Sequence, residues 1–437
     1  MNKTRLVGRL REISNHIIPS SSSTFSEADS PTLLLVLPEG GIVGTSLCIT
    51  QERQHRIILD GSVVVTYVIS DSRLLGLDIS SVGTPYEGAT SHIPKYKLLT
   101  ISLPDSMLKG ISIPDFWAAV YALFTLYHDQ EHIPIILTLV SNVDEINQYL
   151  LSTGLARTHV RPDARKFKSD NDVLFLSRAA FWQGAGTVGY HRRSWLRNPQ
   201  PPFPNIPSFT RNEKVIAMHP LRPKKPEQGE VLYRRWCSAV NQMLELRYFD
   251  LDGVHDETET GSNPTKSSRH MEAFHRWHND ERVNSAWGER GSLETHRGYV
   301  EAVLADPHVL PCMLSWDGEL MGYVEIVYVK ENHVAQYYPA GVVPGDWERG
   351  VHVLVGEDKF LGGGRSEIWL RSLVHYLFLA DPRTDRVAGE PRESNEAIFK
   401  VALHSGFHWQ TTFDFPYKRS ALLLNPREKF FNLCHLR

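Results

Sequence analysis

A strand that turns through three consecutive glycines into a helix constrains this chain more than any other feature. The strand, His352 to Val355, ends at Gly356, and the helix begins near Ser366. Apolar residues then recur at three- and four-residue steps, as on one helix face: Trp369, Leu370, Leu373, Val374 and Leu377. A glycine turn at a helix N-terminus presents backbone N–H groups and the positive end of the helix dipole, so Gly362–Gly364 predicts a phosphate seat.

Residue spacing narrows the type of phosphate loop. A P-loop needs Lys before Ser or Thr after its last glycine, but Arg365 precedes Ser366 here. A dinucleotide fingerprint needs a third glycine where Glu367 stands. The spacing resembles instead the coenzyme A loop of the GCN5-related N-acetyltransferases (GNAT), with Lys replacing the usual Gln or Arg; a plain strand-to-helix turn is the alternative. The residues expected at the coenzyme are Lys359, Gly362, Gly363, Gly364, Arg365 and Ser366.

Composition limits the class of protein. The chain has 437 residues, enough for two or three domains. Its 47 basic and 50 acidic side chains are balanced, so we expect no nucleic-acid partner. No apolar run reaches the ~18 residues of a membrane helix, so we expect no membrane partner. The four cysteines and 20 histidines show no metal-ligand spacing, so we expect no metal and a reducing compartment.

The chain divides into four predicted regions. Residues 1–25 are basic and serine-rich, as in a targeting segment. Within them, Arg9-Leu10 followed by His16-Ile17 resembles the N-terminal peroxisomal nonapeptide, which implies a peroxisomal location; an amphipathic first helix and a cytoplasmic protein are the alternative. Residues 26–190 alternate strands and helices as in an α/β domain. Residues 191–228 are proline-rich and predict an extended linker without strand pairing, and 229–437 form a second domain.

The two halves resemble each other, which predicts one α/β (α+β) fold used twice. Tyr96 to Ser112 aligns without a gap to Gly350 to Ser366. Leu98 stands where the second copy has His352, and Leu108 and Lys109 stand where it has Gly362 and Gly363. An apolar residue cannot move a proton, and side chains in the turn would crowd a pyrophosphate. We therefore expect the first copy to be degenerate.

Polar residues near the glycine turn are the candidates for chemistry. His352 is the expected general base, because the ordinary imidazole pKa is about 6.5. Glu390 ends a neighbouring predicted strand, Arg386 to Gly389, and could pair with His352 in one cleft. Tyr323 and Glu325 share a strand face, where Glu325 either orients the acceptor or is a solvated edge charge. Three further residues are expected at the coenzyme: Val353 and Val355 through their backbone, and Asn395 as a contact or a helix cap.

Four segments resemble the siderophore hydroxamate acyltransferases, which include aerobactin N6-hydroxylysine acetyltransferase and the fungal N5-hydroxyornithine acyltransferases. They are Phe274 to Asp280 with Val283 and Trp287; Gly322 to Glu325; Arg349 to Gly356; and Gly389 to Pro391 with Asn395. The resemblance implies two tandem GNAT-like domains, His352 and Glu390 as the catalytic pair, and an acceptor site with Trp287, Tyr323 and Glu325. Some relatives have Asp at the position of Glu390.

The resemblance also implies the substrates. The acyl-CoA is a co-substrate, and no cofactor is bound permanently. The acceptor is N5-hydroxyornithine, whose hydroxylamine nitrogen attacks the thioester directly, without an acyl-enzyme. The nonapeptide favours anhydromevalonyl-CoA as donor over acetyl-CoA. The alternatives for the reaction are acetylation of N5-hydroxyornithine or N6-hydroxylysine, and acetylation of an ordinary amine. Two further alternatives are a non-enzymatic CoA-binding scaffold and a covalent mechanism with Cys312 as the nucleophile. The sequence leaves the oligomeric state open, with a homodimer as one arrangement.

Overall fold

The computed structural model describes residues 31–49, 53–77, 85, 94–104, 110–159, 173–199, 203–254 and 267–437. These form two compact units, one ending at Ser194 and one running from Trp195 to Leu436. The nonapeptide at 9–17 and the aligned positions 108 and 109 lie outside the described residues. Among the helices in these ranges, none has the length and apolar character needed to cross a membrane.

In its described residues, the N-terminal unit consists of one eight-stranded sheet and three helices. Its strands are β1 (Thr32–Val36), β2 (Ile42–Ile49), β3 (Arg53–Leu59), β4 (Ser62–Leu75), β5 (Tyr96–Ser102), β6 (His132–Leu137), β7 (Ala156–Arg157) and β8 (Leu174–Ser177). Its helices are α1 (Ile113–Leu126), α2 (Val143–Ser152) and α3 (Arg178–Trp182). Helix α1 begins where the Ser112 side chain accepts the N–H of Asp115, an N-cap. Its middle is buried all round, so it forms the core of this unit.

The C-terminal unit carries a second eight-stranded sheet and a separate hairpin. Its strands are β9 (Pro207–Arg211), β10 (Ile216–Pro220), β11 (Val231–Cys237), β12 (Gln242–Tyr248), β13 (Val309–Trp316), β14 (Glu319–Tyr328), β15 (Arg349–Val355), β16 (Arg386–Gly389), β17 (His408–Phe415) and β18 (Lys418–Pro426). Its helices are α4 (Arg269–Asn279), α5 (Glu281–Trp287), α6 (Leu293–Ala305), α7 (Arg365–Ala380), α8 (Glu396–His404) and α9 (Arg427–Leu433). An apolar cluster that includes Phe249, Phe274, Trp277, Tyr323 and Leu354 joins α4 to β14 and β15.

Both sheets have the same strand order. It is β1-β2-β3-β4-β5-β6-β8-β7 in the first unit and β11-β12-β13-β14-β15-β16-β18-β17 in the second. In each sheet the fifth and sixth strands are parallel and their neighbours are antiparallel. The expected tandem pair of GNAT-like domains is therefore present as two sheets of one topology.

The parallel strands pair at different places in the two units. In the second unit, β15 pairs with β16 at Arg349 and Gly350, before His352. In the first unit, β5 pairs with β6 from Leu99 to Ile101, which the repeat aligns with Val353 to Val355. In the first unit the two parallel strands are therefore still paired at the positions where the corresponding strands of the second unit have separated.

Three expectations about secondary structure need correction. The linker 191–228 contains the antiparallel hairpin β9–β10, because Pro207 and Pro220 stand at the strand ends, where a missing N–H is tolerated. The glycine- and serine-containing sequence of β2 does not predict a strand. The polar, aperiodic sequence of residues 255–270 predicts a surface loop, but α4 begins within this range at Arg269, where Ser268 caps the helix.

Candidate active site

Two features frame the candidate site: the glycine turn after β15, and the separation of β15 from β16 beyond Gly350. Gly362, Gly363 and Gly364 have φ values of 72°, 58° and 74°, which favour residues without a Cβ. A Cβ at Gly362 or Gly364 would meet nothing within 4 Å, so the space beside the turn is open. Helix α7 begins directly after the turn, which directs its free N–H groups toward this space. The turn therefore has the backbone and the space that a diphosphate needs.

His352 lies between two carboxylates, at the level where β15 and β16 have separated. Its Nε2 is 2.9 Å from Glu390 Oε1, and its Nδ1 is 3.2 Å from Glu325 Oε2. The side chains of His352, Glu390 and Glu325 are 25%, 11% and 8% exposed. Glu325 stands directly opposite His352 in the β14–β15 ladder, so both point to the same face. The strand separation after Ala388 brings Glu390 to the other side of the ring.

Glu325 is held in place by two tyrosines. The hydroxyl of Tyr299, on α6, donates to Glu325 Oε1 at 2.6 Å, and that of Tyr323 donates to the same oxygen at 3.0 Å. Glu325 is therefore a buried, fully bonded carboxylate, and the edge-charge alternative is wrong. Tyr299 is not predictable from the sequence, because nothing in the pattern of α6 distinguishes it from a packing residue.

The carboxylates set the charge of His352. Burial by itself lowers the pKa of His352, but Glu390 and Glu325 outweigh it and raise the pKa to about 10. Burial likewise opposes ionisation of Glu390, yet His352 lowers the pKa of that carboxyl to about 2. The two carboxylates therefore favour the imidazolium form of His352 in this geometry, and the general-base role of His352 stays a prediction. With His352 protonated, the three groups together carry one negative charge.

Several predicted coenzyme residues already have partners. Lys359 pairs with Glu319, and Arg365 donates to Gln242 Oε1 at 3.2 Å. The carbonyl of Val355 accepts from Arg282 at 2.9 Å, whereas Val353 lies on the stretch of β15 beyond its pairing with β16. The Asn395 side chain accepts from the N–H of Ile398 at 3.2 Å and caps α8. Ser366 lies in the first turn of α7 beside the glycines.

The predicted acceptor residues differ in access. Trp287 is partly buried and packs against Tyr323, with ring centroids 6.1 Å apart. Tyr323 is fully buried, and its hydroxyl is bonded to Glu325. Tyr323 is therefore a positioning residue for Glu325 in this structure, and its side chain is not exposed to a substrate.

Lys418 and a group of aromatic side chains lie next to Glu390. Lys418 Nζ donates to the backbone carbonyl of Glu390 at 3.0 Å and lies 5.2 Å from the centroid of the Phe415 ring. Phe415 stacks on Tyr417 at 5.3 Å and contacts His333 at 5.2 Å. Burial lowers the pKa of His333, which favours its neutral form. These aromatic neighbours are not predictable from the sequence, since they come from the β17–β18 turn and from the segment after β14.

Two histidines and a glutamate form a separate cluster at the β9–β10 hairpin. Ligand atoms of His219, His308 and Glu331 lie within 4.8 Å of one another. However, Arg222 makes two hydrogen bonds to Glu331, at 2.5 and 2.7 Å, and His219 Nδ1 is 2.9 Å from the same carboxylate. A guanidinium already neutralises the carboxylate, so the cluster is a buried ion pair that fastens the hairpin to the main sheet.

Comparisons with known proteins agree with this geometry. Residues 266–415 match the family described as an acetyltransferase (GNAT) domain, so the class is a GNAT acyltransferase. The chain is 39% identical over 334 residues to the acyltransferase ato1 of Omphalotus olearius, covering 75% of this chain and 78% of that protein.

Two relatives are named by their reaction. The hydroxyornithine transacylase SID3 of Ajellomyces capsulatus is 34% identical over 74% of this chain and 73% of its own. The N(5)-hydroxyornithine:cis-anhydromevalonyl coenzyme A-N(5)-transacylase SIDF of Beauveria bassiana is 32% identical over 73% of each. The chain belongs to the siderophore hydroxamate acyltransferases and is an acyl-CoA-dependent N-acyltransferase.

Proposed function

We propose that the enzyme transfers an acyl group, with anhydromevalonyl favoured, from coenzyme A to the hydroxylamine nitrogen of N5-hydroxyornithine. The product is a hydroxamate for siderophore biosynthesis. The observation that carries the proposal is the His352 imidazolium held between Glu325 and Glu390 beside the separated strands. The names of the Ajellomyces and Beauveria relatives support the choice of acceptor and donor.

The cleft orients the donor for direct attack. The diphosphate of the acyl-CoA occupies the turn Gly362–Gly364, and the pantetheine arm runs along β15 past Val353. The thioester carbonyl then lies next to His352. Holding both substrates side by side removes much of the entropic barrier of a bimolecular reaction. Cys312 is fully buried and burial raises the pKa of its thiol, which opposes an acyl-enzyme on this residue.

Glu390 is the proton acceptor in the proposed mechanism. Its Oε1 faces His352, and no described residue donates a hydrogen bond to its Oε2. The neutral nitrogen forms an N–C bond to the carbonyl carbon and becomes cationic, which makes its N–H strongly acidic. A carboxylate of low basicity can accept that proton, whereas an imidazolium cannot.

The thiol leaves when the tetrahedral adduct collapses. The C–S bond breaks, the electron pair goes to sulfur, and the thiolate takes one proton from the His352–Glu390 pair. The nitrogen has lost one proton and the sulfur has gained one, so the pair returns to its starting charge. His352 thus stabilises the neighbouring charges throughout and is available as a proton donor at the end.

Thiol release with defined substrates tests this function. We expect N5-hydroxyornithine to be acylated much faster than ornithine, and anhydromevalonyl-CoA to be used faster than acetyl-CoA. Equal or faster turnover of acetyl-CoA would overturn the choice of donor. Equal turnover of ornithine would overturn the choice of a hydroxylamine acceptor.

We also propose a peroxisomal location, which the resemblance of Arg9–Ile17 to the nonapeptide supports. A fluorescent protein fused to the C-terminus of the full chain is expected in peroxisomes. The double substitution Arg9→Ala, Leu10→Ala is expected to leave it in the cytosol. Cytosolic fluorescence of the unsubstituted fusion would refute the proposal.

A further inference from the structure

We propose that Lys418 binds the carboxylate of the acyl acceptor, so that the enzyme selects acceptors with a hydroxylamine at one end and a carboxylate at the other. The inference rests on the proposed function and adds a specificity-determining residue to it. Neither the sequence pattern nor the similarity to other transacylases assigns a role to Lys418.

The backbone fixes Lys418 to the segment that carries Glu390. After β16 the chain runs beside β18, with Ala421 N donating to Pro391 O at 3.1 Å and Glu393 N to Arg419 O at 3.1 Å. Lys418 is the first residue of β18, and its ammonium donates to the Glu390 carbonyl at 3.0 Å. The ammonium and the proposed proton acceptor are therefore held together by the same strand contacts.

Lys418 makes no salt bridge with a described residue, and the Glu390 carboxylate raises its pKa only in part against the effect of burial. Its side chain is half-buried, and its two contacts are the Glu390 carbonyl and the ring of Phe415. The next residue differs, because Arg419 pairs with Glu393 and Asp414 on the surface. A partly desolvated ammonium is unfavourable without an anion, and burial accordingly lowers the pKa of Lys418. A bound carboxylate would give the ammonium a direct ion pair.

The spacing fits an amino acid acceptor. In extended N5-hydroxyornithine the nitrogen and the carboxylate carbon are about 6 Å apart, from ordinary bond lengths. A glutamate side chain spans about 5 Å from its backbone to its carboxylate. An acceptor with its nitrogen at Glu390 Oε2 can therefore place its carboxylate at the ammonium that contacts the Glu390 backbone.

Charge also favours this orientation. Glu325, His352 and Glu390 together carry one negative charge, which would repel an anionic acceptor. Lys418 offsets part of that charge where it contacts the Glu390 backbone, and Arg392 lies near enough to lower the pKa of Lys418 further. The carboxylate end of the acceptor is thus attracted to the side with the cations, and the neutral hydroxylamine remains at the acidic groups.

The substitution Lys418→Met tests the inference with two acceptors. In the unsubstituted enzyme we expect the α-amide of N5-hydroxyornithine to have a KM about 10- to 100-fold above that of the free acid, as for a lost charge-assisted hydrogen bond. In Lys418→Met the KM for the free acid should rise to that of the amide, with little change in kcat. Lys418→Arg should recover part of the preference.

A neighbouring arginine provides the matched control. Arg419→Met removes one positive charge from the same strand, but its surface partners leave no reason for a change in acceptor preference. If Lys418→Met keeps the preference for the free acid, the inference is refuted. A fall in kcat at unchanged KM would also refute it, since the ammonium would then act on Glu390. Failure of the unsubstituted enzyme to acylate N5-hydroxyornithine would instead refute the proposed function.

Discussion

Raising the pH from 7 to 9 separates the two groups that could accept the proton. If Glu390 accepts it, kcat/KM with N5-hydroxyornithine should change by less than about threefold over this range, because Glu390 stays ionised and His352 stays protonated. If His352 were the base, the rate would follow the fraction of neutral imidazole.

The structure sets the size of that difference. With a pKa of about 10, roughly one His352 side chain in a thousand is neutral at pH 7, and about one in ten at pH 9. A histidine base therefore predicts a rise of about 100-fold between these values. The hydroxylamine is already unprotonated above neutrality, so its own titration contributes little to the change.

The assay is loss of thioester absorbance at subsaturating acceptor, corrected for hydrolysis without enzyme at each pH. Glu390→Gln and Glu325→Gln form a matched pair, because each removes one carboxylate from His352 and only Glu390 has a free oxygen. We expect Glu390→Gln to lose about 10²- to 10⁴-fold in kcat, and Glu325→Gln no more than about tenfold. A tenfold rise per pH unit, or equal losses in the two variants, would refute Glu390 as the proton acceptor.

Three further predictions follow from the same structure. Calorimetry should find one coenzyme A bound per chain, because the pairing of β5 with β6 leaves no gap for a second one in the N-terminal unit. Binding of two would contradict this reasoning. Gly364→Ala should raise the KM for acyl-CoA by at least tenfold, whereas Gly341→Ala, which has the same left-handed φ and open surroundings, should not. The folded-state pKa of His352 is raised, so its contribution to stability is complete below pH 6.5 and is lost as the pH rises through about 10. The difference in free energy of unfolding between the unsubstituted enzyme and His352→Gln should therefore shrink over that range in urea titrations.

Sequence patterns predicted the parts of the fold that depend on local chemistry. The glycine turn, β16 and α8 lie where residue spacing placed them. The hairpin β9–β10 was missed, because strand pairing depends on where each proline stands in the strand and not on proline density.

The site was only partly predictable for a different reason. His352 and Glu390 were assigned to one cleft from the order of their strands. The charge of His352 depends on Glu325, whose register with it is set by β14–β15 pairing, and on Tyr299 from a distant helix. Lys418 reaches Glu390 through a contact between segments 28 residues apart. Such contacts are tertiary, and no periodicity in the sequence encodes them.

Strands β5 and β6 are paired at the level where β15 and β16 have separated. We therefore expect the two units to respond differently to the supply of acyl-CoA. A ligand that binds only the folded C-terminal unit stabilises that unit by mass action, while the N-terminal unit gains nothing directly. When acyl-CoA is scarce, the catalytic unit loses this support and becomes more open to proteolysis than in its bound form. Supply of the donor would in this way help to set how long each enzyme molecule survives.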